Sequence, residues 1–143
     1  MIRWGVAAAL LAVLALVAAC GSGGQDRPAG GGTLQQRLDQ AGQGLCEAAS
    51  LAHQGRVDRA GAVFNDRSHQ FLHDLAPQVQ QEDPTAAAGL LEAKNRVETA
   101  LRDAARGGTT PQQVADLLSA LAAALGRAAE VLGARAPACD GTA

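Results

Sequence analysis

An all-α fold, an antiparallel up-and-down four-helix bundle standing behind an export segment and a flexible tether, is what this 143-residue sequence predicts. Three observations carry that prediction. From Thr33 onward the apolar residues recur at helical spacing rather than alternating, and strand-forming residues are scarce. Helix start signals stand at three places: Thr33-Leu-Gln-Gln36, Asp83-Pro84 and Thr110-Pro-Gln-Gln113. Between them lie connections too short for anything but antiparallel neighbours.

The elements follow in order. The first helix aligns Leu34, Leu38, Ala41, Leu45, Ala48 and Ala52 on one face, with a break expected where Gly42 and Gly44 weaken it. Gly55 has the place of a helix-ending C′ glycine. The second helix aligns Val57, Ala60, Phe64, Phe71 and Leu75 and is expected to stop at Pro77, which cannot donate to the helix ladder. The third offers Ala87, Leu90, Leu91, Val97 and Leu101, and Gly107-Gly108 separates it from the fourth. That last helix carries the clearest stripe, Val114, Leu117, Leu118, Leu121, Leu125, Ala128 and Leu132, with Gly133 as its C′ residue.

Ahead of the domain, residues 1–19 have the parts of an export signal. Arg3 supplies the positive start, Val6 to Val17 an uncharged run, and Ala18 and Ala19 a small-residue end. About a dozen apolar residues fall short of the ~20 that cross a bilayer as a helix. Val17-Ala18-Ala19-Cys20 resembles the lipobox of bacterial lipoproteins. The resemblance covers the export segment only. It implies that Cys20 carries acyl chains of the palmitate type and becomes the first residue of the mature protein. It also places the protein at the cell membrane, on the extracytoplasmic face. Each buried CH₂ of such a chain adds ~0.8 kcal/mol to the membrane affinity. Residues 20–32 are glycine-rich and read as a flexible tether of roughly 20 Å, and residues 33–143 form the bundle domain.

Composition excludes several functions. Losing Arg3 with the signal takes the formal net charge from −2 to −3, and neither sign is clustered, so no basic face for nucleic acid is expected. Phe64 and Phe71 are the only aromatic residues beyond Trp4, which leaves no stacking platform for bases or sugars. About 110 residues are too few for a two-lobed solute-binding protein. No nucleophile-elbow sequence surrounds any serine, and an enzyme is not expected. The primary expectation is a non-enzymatic cell-envelope lipoprotein, tethered to the membrane, that acts as an interaction or accessory module for another envelope protein.

Three constellations remain. Cys46 and Cys139, an even pair in an exported chain, predict a disulfide between the first helix and the C-terminal tail. Asp66-x-x-His69-x-x-x-His73 has the spacing of transition-metal ligands on one helical face, with His53 across the hairpin, and supplies the alternative function of metal binding or delivery. At 100° per residue, however, His69, His73 and Asp66 fall about 140°, 180° and 200° from Phe64, on a face turned to solvent. Lys94 stands inside the third helix's apolar stripe. Its expected state is a stem lying over apolar surface with the ammonium in water; the other reading is a buried pair with Glu98.

Overall fold

The computed structural model describes residues 32–139, all of them in one compact unit. The export segment, Cys20 and nearly all of the tether lie outside the described residues. Five α-helical segments form four rods: α1 (Leu34–His53), α2 (Val57–Phe64), α3 (Gln70–Glu82), α4 (Pro84–Ala104) and α5 (Pro111–Val131). A π turn over Asn65–His69 joins α2 to α3, so that these two run as one continuous helix. Each rod packs on its two neighbours, α1 on α2 and α5, and α4 on α3 and α5, which closes the four into a bundle. The fold is the all-α bundle that the apolar periodicity predicts.

The helix starts are built as their sequences require. Thr33 Oγ1 accepts from the Gln36 N–H at 3.3 Å, and the Gln36 side chain accepts from the Thr33 N–H at 2.8 Å. Thr110 and Gln113 repeat this reciprocal box at 3.2 and 2.9 Å. Asp83 Oδ1 accepts from the N–H groups of Thr85 and Ala86, with Pro84 at the first helical position. Such caps satisfy backbone donors that no helix can satisfy for itself.

The interior is aliphatic. Leu38, Leu45, Leu72, Leu90, Leu118, Leu121 and Leu125 are fully buried around Phe64, and alanines fill the closer helix contacts. Burying each leucine stabilises the fold by roughly 1.5–3 kcal/mol relative to exposure.

Two expectations about helix ends are corrected. α1 runs unbroken through Gly42 and Gly44. Both glycines are sites of close approach: a Cβ at Gly42 would stand 2.6 Å from Pro137 Cδ, and one at Gly44 2.8 Å from Arg67 Cβ. Their low helix propensity, about 1 kcal/mol each, is outweighed by packing that nothing larger permits. Pro77 likewise does not end its helix, which continues to Glu82. The pyrrolidine ring lies on the exposed face, while Ala76 and Val79 on either side are buried and hold the following turns against the core.

Beyond Gly133, whose φ of 69° takes the chain out of α5, the tail lies along α1. Gln35 and Arg135 exchange two hydrogen bonds, Pro137 rests on Gly42, and Cys139 reaches Cys46. The disulfide predicted from the sequence is present, with a Cα–Cα distance of 5.1 Å and a sequence separation of 93.

Candidate functional site

Residues able to bind or react converge at one place, the seam between α3 and α4, and the π turn puts them there. Ala60, Phe64, Ser68 and Leu72 are spaced by four throughout, and all four are fully buried. On an uninterrupted α-helix those twelve residues would rotate the face by about 120°. The extra residue of a π turn takes back about 100° of this, which keeps the four side chains in one stripe. Everything from the end of the turn at His69 onward is rotated by about the same amount. His69 therefore lies about 40° rather than 140° from Phe64, and His73 about 80° rather than 180°.

The placement is anchored from the inside. Ser68 is fully buried, and its hydroxyl donates to the Ala41 carbonyl at 3.0 Å, across the close contact that Gly44 allows. Outside, Arg67 pairs with Glu47 of α1 at 2.8 Å. The His69 ring meets the Phe64 ring edge to face, with centroids 5.8 Å apart, and the His73 ring stands T-shaped to His69 at 4.8 Å.

From α4, Glu98 completes the group. Its Oε1 lies 2.8 Å from His69 Nε2 and also accepts from Lys94 Nζ at 2.6 Å. Lys94 is 2% exposed. The snorkelling state expected for it is not the one found: the ammonium is inside, paired one turn along its own helix. A buried ammonium without a partner would be prohibitively unfavourable, and Glu98, itself half-buried, supplies the charge. Burial acts on the Glu98 carboxyl to raise its pKa, but the hydrogen bond and charge of Lys94, followed by those of His69, outweigh it and hold the carboxyl below its ordinary range. Next to His73, the Asp74 carboxyl is also held low, chiefly by the amide of Gln70 and, against a smaller effect of burial, by Arg37. Arg37 in turn covers the Phe71 ring, 4.8 Å from its centroid.

One imidazole nitrogen from each of His69 and His73 and one oxygen of Glu98 all lie within 4.8 Å of one another. Among the described residues this is a three-donor group of metal-ligating type. The sequence motif supplies two of its members. Asp66, the third residue of that motif, is exposed within the π turn and is not in the group. His53 is elsewhere, with Nδ1 3.0 Å from the Gln112 side-chain oxygen. Glu98 was missed as a donor because it belongs to another helix. The run of apolar or small residues at spacing four, Ala60, Phe64, Ser68 and Leu72, is the sequence signal for the π turn.

A second surface feature lies between α4 and α5: a groove of about 1000 Å³ lined by Leu91, Ala100 and Leu117 and by polar residues including Asn95, Arg96, Thr99, Asp103 and Asp116. It is open to solvent along its length and holds no histidine or cysteine. Comparison with protein-family models, with curated proteins and with solved structures finds no match to this chain.

Proposed function

We propose that this chain is a lipid-anchored module of the cell envelope that presents a rigid helical surface to another extracytoplasmic protein and does no covalent chemistry of its own. The observation that carries the reading is the Cys46–Cys139 bridge, which pins the C-terminal tail to α1 across 93 residues. A structural disulfide of this span belongs to an oxidising compartment. It agrees with an export segment ending in Val17-Ala18-Ala19-Cys20. A stapled bundle with an aliphatic interior is a scaffold, and its concave outer feature, the α4–α5 groove, mixes apolar and polar groups as a contact surface for a folded partner does.

Two experiments test the two parts of this reading. Replacing Cys20 by Ala should abolish acyl-chain labelling and release the protein from the membrane fraction; unaltered labelling or membrane retention contradicts the anchor. A photo-crosslinking residue placed at Asn95 or Thr99 in the groove should give a discrete adduct in intact cells, whereas one at Gln40 on exposed α1 should not. Equal yields from both faces, or none from the groove, would remove the groove as a docking surface.

A further inference from the structure

The α3–α4 seam holds a cluster that a scaffold does not need. His69 and His73 are one helical turn apart, and Glu98 approaches them from the facing helix. We propose that His69, His73 and Glu98 form a binding site for a divalent transition metal of the zinc, copper or nickel type. The inference stands apart from the docking surface, which lies at the other seam of α4.

Four observations support it. The donor chemistry is right, since two imidazoles and a carboxylate suit metals of intermediate softness. The geometry is close: two ligands on a tetrahedral zinc stand about 3.4 Å apart, against donor atoms already within 4.8 Å here. His73 is exposed, so its side chain is not held in place by core packing. The ligands are oriented from behind, His69 by the edge of Phe64 and Glu98 by Lys94, as outer-shell partners orient metal ligands. Finally, His69 ends a π turn and His73 follows it by one helical turn, and π turns inside α-helices are frequent at functional sites.

The site also has a defined character. Metal binding takes His69 Nε2 away from Glu98 Oε1, and Lys94 keeps its hold on that oxygen, so the buried ammonium is never left alone. Three protein donors leave a coordination position for water or for a partner's side chain. The nearby Lys94 charge opposes a second cation, which suits exchangeable binding rather than a permanent structural ion.

The test is a titration of the full-length chain, purified in detergent without a histidine tag, with Zn²⁺ in competition with a chromophoric chelator. One saturable site is expected. The variant His69→Ala/His73→Ala, which removes two of the three donors, should weaken binding by at least about tenfold. Asp66→Asn and His53→Ala should leave the affinity unaltered. Co²⁺ in place of zinc should give visible d–d absorption that the double-histidine variant lacks, a readout independent of stability. Absence of a saturable site, binding unaltered in the double-histidine variant, or an equal loss in Asp66→Asn would overturn the assignment.

Discussion

The seam between α1 and α5 and the seam between α3 and α4 are built from the same kind of helix and differ in regularity. α1 and α5 run without interruption for 20 and 21 residues, and their apolar stripes turn inward where spacing of 3.6 puts them. The helix facing α4 contains a π turn and an internal proline, and its partner carries a buried lysine. At the first seam the chain buries alanines and leucines and locks the tail with a disulfide. At the second it buries Lys94 and satisfies it with one hydrogen bond to Glu98, while Ser68 of the π turn is buried against α1 and satisfied there by the Ala41 carbonyl. Among the described residues no buried side-chain polar atom lacks a partner. The difference teaches where rigidity and where chemistry are placed: the regular seam stabilises, and the irregular one gathers the donors.

The largest effect belongs to the regular seam. Reducing Cys46–Cys139 frees a 93-residue loop in the unfolded chain and should lower stability by up to about 4–5 kcal/mol, measured by denaturant unfolding, with helical circular dichroism retained at zero denaturant. Next comes the charge at the irregular seam. Glu98→Ala leaves Lys94 buried without its partner and should cost about 3 kcal/mol, at the low end for a broken buried pair because Glu98 is partly hydrated. Lys94→Met, which removes the ammonium and fills its space, should be near neutral by the same measurement. If Glu98→Ala were as mild as Lys94→Met, the pair would be a surface contact and the contrast between the seams would disappear.

Gly44 sharpens the contrast because it touches the π turn from α1. Gly44→Ala forces a Cβ to within 2.8 Å of Arg67 Cβ and 2.9 Å of Ser68 Oγ, and should cost about 2 kcal/mol of unfolding free energy. An alanine tolerated or stabilising there, as helix propensity alone would have it, would mean that the turn does not press on α1. The smallest effect should be at Asp66, exposed in the π turn, where replacement by Ala should stay within about 0.5 kcal/mol.

How far the sequence was legible follows the same division. The three capping sequences, the C′ glycines at 55 and 133, the stripes of α1, α4 and α5 and the Cys46–Cys139 pairing were all readable, because each depends on local chemistry or on uninterrupted periodicity. Gly42 and Gly44 look like weak points in the sequence, since their value lies in what touches them, Pro137 and Arg67, which spacing along one helix does not reveal. The residue types of His69 and His73 are legible as ligands, but a uniform 100° per residue puts them on the solvent face because it makes no allowance for the extra residue of the π turn. Spacing along α4 puts Glu98 beside Lys94, but its contact with His69 is made between helices and has no local sequence signal.

The rotation that the π turn imposes decides where the donors gather. The most direct measurement is a nuclear Overhauser spectrum of the aromatic side chains, where two phenylalanines and three histidines make assignment simple. If the turn is present, the His69 ring protons give cross-peaks to the Phe64 ring and to the His73 ring, as centroid distances of 5.8 and 4.8 Å require. On a straight helix His69 would stand about 140° from Phe64. A His69 ring with no cross-peak to Phe64 would contradict the account, and with it the grouping of His69, His73 and Glu98.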